Sequence, residues 1–340
     1  MGCGPIGRRQ TNFPAKADAC LPLACRAGTV IPMDRVTTLT LNPAIDGSCE
    51  TEKVVPTHKV RTSTEVYHPG GGGINVARVL ARLGERVEVV YCAGGATGDL
   101  LDGLLDEHGL DRHRIRIHDH TRMSLAVFER ATGKEFRFVP EGPLLAEAEW
   151  RAALDETVAA GSPWVVGSGS LPRGVPEDFY ARLAGSLGGE RRMVLDTSGA
   201  ALTHALAAGG LFLVKPSQGE FEQFVGRKLH GWREIGVAAL ELVRAGKAAH
   251  IAVTLGHNGA VLAHAGGVER LDAIEVAVRS ATGAGDSFVA GMVHGFLRGE
   301  DALGAFRRGV AAGTAAVLQS GTGLCRAEDV SAMLARLPAR

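Results

Sequence analysis

The sequence predicts an α/β protein in which helices cover a largely parallel sheet, with a second, smaller β element inserted as a lid. From residue 35 onward, short apolar runs of strand length alternate with longer runs that have helical spacing. This alternation is typical of parallel sheets. Two other segments, 48–67 and 121–139, alternate polar and apolar residues with a period of two, which indicates strands with one exposed face.

The strands of the main sheet are short and apolar, and amphipathic stretches separate them. The predicted strands are "RVTTLTL" (35–41), "RVEVVYCA" (86–93), "WVVGS" (164–168), "RMVLD" (192–196), "LFLVK" (211–215) and "HIAVTLG" (250–256). The predicted helices include "INVARVLARLG", "EDFYARLAGSLGG" and "WREIGVAALELVRAG". No repeat or linker divides the chain, so we expect one domain over 35–340.

The lid segments, 48–67 and 121–139, lie outside this rhythm. The second contains a hairpin turn at "ATGK", a sequence suited to a tight connection between antiparallel strands. A small sheet of this kind leaves one apolar face that needs cover. We therefore expect the segments to form a lid and to join two copies of the chain in a homodimer.

Composition and charge exclude several classes of function. Lys plus Arg and Asp plus Glu both number 37, so no global basic field is available to hold nucleic acid or an anionic membrane. No apolar run approaches the roughly 18 residues of a membrane span. The six cysteines show neither CxxC pairing nor metal-ligand spacing, which favours the reducing cytoplasm.

Residues 1–34 lack sustained periodicity, and we expect a disordered leader, of which residues 1–32 can be removed without loss. The dinucleotide pattern G-x-G-x-x-G occurs in this leader, at Gly2, Gly4 and Gly7, with no strand before it. A dehydrogenase is therefore disfavoured. The P-loop pattern G-x-x-x-x-G-K-[ST] does not occur in the chain, so a phosphate site must be sought elsewhere.

The stretch "SATGAGDSFVAGM" (280–292) places small residues before an apolar run with helical spacing. A helix start offers unpaired backbone N–H groups and a partial positive charge. With Gly283, Ala284 and Gly285 leaving the backbone bare, these groups suit the oxyanion of a transferring phosphoryl group. Asp286 then suits a base that accepts a proton from an attacking hydroxyl. An ordinary helix start explains the same spacing, and the spacing alone leaves both interpretations open.

A second glycine cluster, in "HPGGGGINVARVLARLG", puts four consecutive glycines, 70–73, before a predicted amphipathic helix. Four exceed what a tight turn requires, and bare backbone allows a polyhydroxylated ligand to approach closely. Asn75, in the first helical turn, both donates and accepts hydrogen bonds. A flexible loop is the alternative interpretation.

Seven segments occur in the order seen in the PfkB/ribokinase family of carbohydrate kinases, which the chain resembles over residues 35–335. The segments are "PGGGGINVAR", "AGGATGD", "GSLPRG", "LDTSGAAL", "VKPSQGE", "VTLGHNGA" and "ATGAGDSFVAG". The resemblance implies a ribokinase-like three-layer αβα sandwich with a small inserted β lid. It also implies the activity of an ATP-dependent sugar-phosphate kinase.

Within the family, "TLTLNPAID" and the unbroken "GGGGINVAR" are most similar to the PfkB-type 6-phosphofructokinase branch. The 1-phosphofructokinases and tagatose-6-phosphate kinases usually carry a lysine within the glycine run, and this chain has none there. The resemblance thus favours fructose 6-phosphate as the acceptor.

The resemblance also assigns roles at the acceptor end. Asp286 matches the catalytic base, residues 283–285 match its anion hole, and Asp46 matches a carboxylate that orients the sugar hydroxyls. The other matched contacts to the sugar, its phosphate or the transferred charge are Lys59, Gly71, Gly72, Asn75, Arg122 and Ser170. A phosphate dianion suits compact cations and the fork of an arginine. A solvated lid face is the alternative for the lysine and the arginine.

"VKPSQGE" and "VTLGHNGA" resemble the ATP-binding segments of the family. The matched positions are Lys215, Ser217, Glu220, Thr254, Gly256 and Gly259. In the family motif Asn-x-x-Glu, Ser217 replaces the asparagine while Glu220 is retained. Because serine is shorter, we expect it to hold the metal or phosphate more loosely. Glu220 is expected to act on Mg²⁺ through water. The resemblance also implies a monovalent cation site, for K⁺, near Ser280, Thr282, Ala316 and Gly321.

The predicted function is the ATP-dependent phosphorylation of the C1 hydroxyl of fructose 6-phosphate. Fructose 1-phosphate and tagatose 6-phosphate stay open as acceptors, because fine pocket geometry distinguishes a single epimeric hydroxyl. A non-catalytic sugar-phosphate-binding protein is a rival of another class. Such a protein would be expected to lose Asp286 or the glycine run, and the chain keeps both.

Overall fold

The computed structural model describes residues 1–2 and 35–338, so the predicted leader lies, but for its first two residues, outside the described part of the chain. The strands of the main sheet are β1 (Arg35–Thr40), β4 (Arg86–Gly94), β5 (Asp111–Ile117), β8 (Trp164–Ser168), β9 (Arg192–Asp196), β10 (Leu211–Val214), β11 (Ala248–Thr254), β12 (Ala260–His264) and β13 (Gly267–Leu271). A second sheet contains β2 (Ala44–Thr51), β3 (Ser63–Gly70), β6 (Arg122–Glu129) and β7 (Lys134–Phe138).

The helices alternate with the strands of the main sheet, as the sequence predicts. They are α1 (Gly72–Arg82), α2 (Gly95–Asp106), α3 (Glu147–Ala159), α4 (Phe179–Leu187), α5 (Gly199–Ala208), α6 (Gln218–Val225), α7 (Gly231–Arg244), α8 (Ala284–Leu297), α9 (Ala302–Val317) and α10 (Ala327–Arg336). No helix in the described ranges is both long enough and apolar enough to pass through a membrane.

The main sheet has the strand order β13-β12-β11-β10-β9-β8-β1-β4-β5. Neighbouring strands from β11 to β5 run parallel, and only the hairpin strands β12 and β13 pair antiparallel. The predicted, mainly parallel sheet is confirmed. Its parallel strands read as continuous apolar runs because helices bury both of their faces.

Two apolar clusters fill the space between the sheet and its helices. On one side, side chains of α3, α4, α5 and α7, such as Trp150, Phe179 and Ile235, form one cluster with apolar side chains of the sheet. On the other, α1, α8, α9 and α10 contribute residues such as Val79, Phe288 and Phe306. The result is the three-layer αβα arrangement that the resemblance implies.

The second sheet, which we call the lid sheet, has the order β3-β2-β6-β7. Its central pair, β2 and β6, is parallel, and the outer pairs are antiparallel. The "ATGK" segment (131–134) connects β6 to β7, with Gly133 at a positive φ of 66°. The predicted hairpin is therefore present.

Residues 52–62, inside the first lid segment, form a loop rather than the predicted continuation of a strand. Pro56 lacks the N–H that a strand needs, and Thr57 has a positive φ of 65°. The period-two pattern of 48–67 thus belongs to the ends of β2 and β3, which the loop joins.

Candidate active site

Helix α8 begins at the predicted anion hole. Gly283 is its N-cap in the left-handed region, with φ of 75°, and a Cβ there would lie 2.5 Å from Leu324. In an α-helix the first N–H groups, here those of Gly285 and Asp286, have no partner within the helix. They point out of the positive end of α8, which favours a bound anion.

Asp286, in the first turn of α8, stands among several charged groups and is partly exposed. Asn75 Nδ2 donates a hydrogen bond to Asp286 Oδ2 over 2.9 Å. Burial, together with the carboxylates of Asp196 and Asp46, raises the pKa of Asp286 to about 7, although Asn75 and Lys215 work in the other direction. A pKa near the operating pH is matched to a general base.

Asp196 and Lys215 form a buried ion pair beside this base, with Lys215 Nζ 3.1 Å from Asp196 Oδ1. Asp196 ends β9, and Lys215 directly follows β10. Because these two strands are parallel neighbours, both side chains lie at the carboxyl-terminal ends of the strands. Burial opposes the charge on Lys215, yet Asp196, Glu220 and Asp286 together raise its pKa. Its Nζ lies 3.3 Å from where a Cβ of Gly285 would be. The lysine therefore adds positive charge to the anion hole.

Because the glycine run 70–73 has no side chains, neighbouring residues pack directly against its backbone. A Cβ at Gly70 would overlap the Asp46 carboxylate, and one at Gly72 would overlap Ser168 Oγ. Gly71 has a φ of 111°, and a Cβ at Gly73 would lie 2.6 Å from the Leu39 carbonyl oxygen. The run is therefore a packed, glycine-dependent segment rather than a flexible loop, and it holds Asp46 close to the start of α1.

The register of the lid sheet places four polar side chains on one face. Asp46 pairs with Ser124, Ala44 with Arg122, and Ala126 with Arg137. Directly opposed residues share a face of a sheet, so Arg122 and Arg137 flank Asp46. Burial raises the pKa of Asp46, while Arg122, Arg137, Arg78 and a hydrogen bond to Ser124 oppose that rise. This face presents two guanidinium groups beside a carboxylate, a combination that suits a phosphorylated sugar.

Arg122 is held at the root of the lid sheet by backbone carbonyls. Its Nη2 donates to the Asn42 carbonyl over 3.0 Å and its Nη1 donates to the Pro140 carbonyl over 3.0 Å. Asn42 Nδ2 donates in turn to Ser170 Oγ over 3.3 Å. Within the described residues, Arg122 Nε and Asn42 Oδ1 are buried without a hydrogen-bond partner. These free polar atoms mark the place, between β1, β6 and Ser170, where a polar ligand would find partners.

Lys59 does not lie on a lid strand. It is exposed on the loop 52–62, where it lines a surface cavity of about 500 Å³ together with Lys53, His58 and Arg61. The expectation that Lys59 reaches inward from a strand is therefore wrong for this conformation. Its proposed contact with transferred charge would require the loop to close over the acceptor.

The predicted nucleotide residues lie on two adjacent connections. Ser217 is the N-cap of α6, and its Oγ and N–H both donate to Glu220 Oε2, over 2.8 Å and 2.7 Å. Ser217 also bridges Thr254, which precedes the turn from Gly256 to Gly259. Serine and asparagine are both good N-caps, so the departure from the family motif preserves the helix start.

Residues that could serve a divalent metal are few but suitably placed. In the described part of the chain no group of three His, Cys, Asp or Glu side chains forms a metal cluster. Mg²⁺ keeps most of its water and requires only one or two carboxylates beside substrate phosphates. The Glu220 carboxylate is close enough to Asp196 to contribute to the raised pKa of Asp196, so the residues present fit such an ion.

Three of the residues predicted for a monovalent cation, Ser280, Thr282 and Ala316, lie on segments that contact one another. Arg279 N donates to the Val317 carbonyl over 2.8 Å, which places the chain before Ser280 beside the end of α9, where Ala316 lies. Thr282 N donates to Ser280 Oγ over 3.2 Å. A Cβ at Gly321 would lie 2.8 Å from Ser48 Oγ on the lid strand β2. The segment thus contacts the lid sheet.

Comparison with known proteins decides the family. Residues 40–329 match the family described as pfkB family carbohydrate kinase. The chain belongs to the pfkB family of carbohydrate kinases. It is 42% identical over 302 residues to the ATP-dependent 6-phosphofructokinase isozyme 2 of Mycobacterium tuberculosis, covering 87% of this chain and 88% of that protein. It is 38% identical to the Escherichia coli enzyme of the same name over 90% of this chain and 99% of that one.

A 1-phosphofructokinase of E. coli is also similar, at 33% identity over 89% of this chain and 97% of that protein. Among solved structures, E. coli phosphofructokinase-2 in complex with fructose-6-phosphate superposes with a TM-score of 0.84 at 37% identity, covering 90% of this chain and 99% of that one. The same protein in complex with potassium gives 0.85 at 38%, with coverage of 89% and 99%. A tetrameric inhibited form gives 0.84 at 37%, also with coverage of 89% and 99%. The ribokinase-like fold and an ATP-dependent sugar kinase are thereby confirmed.

Sequence reasoning missed three members of this pfkB site. Asp196 lies in the quoted "LDTSGAAL" segment, and its position at a strand end next to Lys215 was the available signal. Arg137 shares a face with Arg122 only through the pairing of β6 with β7, which no local pattern shows. Arg78, in "NVAR", is buried beneath Asn75, whereas its helical position predicts only an amphipathic face.

Proposed function

We propose that this pfkB family kinase transfers the γ-phosphoryl group of ATP to the C1 hydroxyl of fructose 6-phosphate. The observation that carries the proposal is the Asp286 carboxyl, with its pKa raised to about 7, at the N-terminus of α8 and beside the Lys215 ammonium. A base, an anion hole and a fixed cation meet at one point. These are the groups that phosphoryl transfer to an alcohol requires.

In this mechanism Asp286 accepts the proton of the attacking hydroxyl, and the amide of Asn75 holds the carboxylate in place. Backbone N–H groups at the start of α8 and the Lys215 ammonium stabilise the charge that develops on the transferred group. ATP with Mg²⁺ supplies that group. Ser217, Glu220, Thr254, Gly256 and Gly259 would hold the nucleotide, with Glu220 and Asp196 acting on the metal through water.

The acceptor is assigned from the lid sheet and from the relatives. Asp46 orients hydroxyl groups of the sugar, while Arg122, Arg137 and Ser170 surround its phosphate at the end remote from Asp286. Gly71 and Gly72 allow the sugar to approach the backbone. Support for fructose 6-phosphate comes from the two isozyme 2 relatives and from the unbroken glycine run.

The experiment is a coupled assay of ADP release with fructose 6-phosphate, fructose 1-phosphate and tagatose 6-phosphate. We expect the highest kcat/KM with fructose 6-phosphate. A higher value with fructose 1-phosphate or tagatose 6-phosphate would reassign the acceptor. Binding of fructose 6-phosphate without ADP release would instead favour the non-catalytic alternative.

The lid sheet also supports a homodimer. Its outer face, opposite Asp46, carries Tyr67, Met123, Leu125, Phe136 and Phe138, all exposed. Apolar patches of this kind mark interaction sites. A second copy of the same face is the simplest cover, because an isologous interface buries identical patches. A K⁺ site near Ser280, Thr282, Ala316 and Gly321, and a cytoplasmic location, stay predictions.

A further inference from the structure

Arg78 is a buried arginine on the inner side of α1, one turn after Asn75, and its side chain is only 2% exposed. Its Nη1 donates to the Pro69 carbonyl over 2.8 Å and to Asn75 Oδ1 over 3.2 Å. Burying a guanidinium is unfavourable unless the charge is used, and no carboxylate forms an ion pair with it among the described residues. We therefore expect a function of Arg78 beyond packing.

We propose that Arg78 is a positioning residue for phosphoryl transfer, which fixes the amide of Asn75 so that its NH₂ group faces Asp286. This inference rests on the proposed function, because it assumes that Asp286 is the base.

The chemistry of the three groups determines the orientation. A guanidinium only donates, and an ionised carboxylate only accepts. An amide between them must therefore turn its oxygen to Arg78 and its nitrogen to Asp286, and the distances of 3.2 Å and 2.9 Å agree. Without Arg78 the amide could rotate by half a turn and accept a hydrogen bond from the protonated Asp286 carboxyl, which would stabilise the protonated form against the ionised base. With Arg78, one oxygen of Asp286 is occupied, and the other is left for the substrate proton.

The same guanidinium anchors the start of the glycine run. The Pro69 carbonyl that it binds precedes Gly70, against which the Asp46 carboxylate lies. One buried cation thus connects the lid strand β3 to the helix that carries Asn75. The absence of an ion-pair partner keeps its donors available for these two oxygens.

The charged neighbours allow a pH test. Asp286 faces Asp196 on β9, Lys215 after β10 and Asp46 on β2. Arg78 faces Arg82 on its own helix and Asp46, and it lies near His68 on β3 and His108 after α2. Burial and these arginines lower the pKa of both histidines, that of His108 to about 4. Both imidazoles are therefore neutral near pH 7, where Asp286 titrates.

The experiment measures kcat/KM from pH 5.5 to 9 for wild type, Arg78→Met, Asn75→Ala and the double variant. We expect Arg78→Met to move the acidic midpoint up by about one pH unit, since an amide that is free to turn stabilises the protonated carboxyl as well as the ionised one. Activity then falls about tenfold at pH 6 and much less at pH 9. Asn75→Ala should shift the midpoint similarly, and adding Arg78→Met to it should shift the midpoint no further.

Arg82→Met is the matched control, because Arg82 lies on the same helix and, within the described residues, donates to the Leu324 and Cys325 carbonyls rather than to Asn75. It should leave the midpoint unchanged. If Arg78→Met does not fold, Arg78→Gln carries the test. A glutamine still donates to the Pro69 carbonyl, but it can present either end of its amide to Asn75 and so does not fix the orientation.

A loss of activity that is uniform across the pH range, or independent shifts that add in the double variant, would overturn the role of Arg78. The assay uses whichever of the three sugar phosphates wild type turns over. Turnover of another acceptor instead of fructose 6-phosphate would therefore overturn the proposed acceptor alone. Wild type that phosphorylates none of them would overturn both proposals.

Discussion

The folded protein disfavours the ionised form of the Asp286 carboxyl, which is the form that acts as a base. An aspartate ordinarily loses its proton near pH 3.8, but in the folded chain Asp286 keeps it to about pH 7. The folded state therefore binds the extra proton between these values, and stability is lost as the pH rises through this window. This destabilisation is the cost of a base that is poised for catalysis.

Replacing this residue tests both its catalytic and its energetic roles. We expect Asp286→Asn to lower kcat by at least about 100-fold, the low end for positioned proton transfer. The same variant should be more stable than wild type at pH 8, by roughly 2 kcal/mol after allowing for contact with water. The difference should be largely gone near pH 4, because the folded carboxyl is fully protonated there and about half of the unfolded carboxyl is. Chemical denaturation at the two pH values measures it, and equal stabilities at pH 8 would contradict the raised pKa.

Sequence motifs predict those parts of the site whose residues lie close together in the chain. Asp286 and Gly283–Gly285 follow one another, and Asn75 follows the glycine run, so spacing alone brings them to helix starts. Asp196 and Arg78 could not be assigned in this way. Their roles depend on which strand lies beside β10 and on which atom of Asn75 each neighbour faces, and both depend on tertiary packing.

The lid sheet is the element that binds the phosphate of the acceptor in this account. Arg122 is tied to the carbonyls of Asn42 and Pro140, so its removal would also loosen the root of β6. Arg122→Ala should raise KM for the sugar phosphate and lower kcat as well. Arg137 has an exposed side chain on the same face. Its removal therefore tests the binding of the acceptor phosphate with less disturbance of the lid sheet.

We expect Arg137→Ala to raise KM for fructose 6-phosphate by about ten- to a hundredfold, the effect of losing a charge-assisted hydrogen bond. KM for ATP should change little, because the nucleotide residues lie on other connections. Lys134→Ala is the matched control. It removes a positive charge from the same strand, but its register partner Glu129 places it on the opposite face. A KM for ATP that rises as much as that for the sugar would contradict the assignment.

The outer face of the same element should hold two subunits together. Leu125→Asp introduces a charge at the centre of this face, between Tyr67 and Phe138. We expect wild type to be a dimer and the variant a monomer in light scattering at micromolar concentration. Val237→Asp places a charge on another exposed apolar side chain, on α7, and should leave the dimer intact. A wild-type monomer with full activity would contradict the proposed interface.

The register that separates these two faces could not be predicted from the sequence. Alternation with a period of two indicates that each lid strand has an inner and an outer face, but not which strand is its neighbour. The parallel pairing of β2 with β6, strands separated by β3, α1, β4, α2 and β5, arises only in the folded chain. Lys59 lies on a loop rather than on a lid strand for a related reason, since Pro56 interrupts the strand that the period-two pattern predicts.

For the whole molecule, the alternation of strands and helices was sufficient to predict the parallel sheet and its two helical layers. Strands such as β8 and β9 are buried on both faces, so their apolar runs are easily recognised. The edge strand β5, "DRHRIRI", was not recognised because its charged side chains pair with residues such as Glu88, Asp102 and Asp106. Neighbouring ion pairs, rather than apolar burial, accommodate that strand.

Product analysis by ³¹P NMR tests the central claim most directly. The enzyme is incubated with MgATP and fructose 6-phosphate, alongside Asp286→Asn at equal concentration. We expect wild type to form fructose 1,6-bisphosphate, with a new phosphate signal on C1 that grows with that of ADP, and the variant to form at most about one hundredth as much. Phosphorylation at another position, or equal product from Asp286→Asn, would contradict the account.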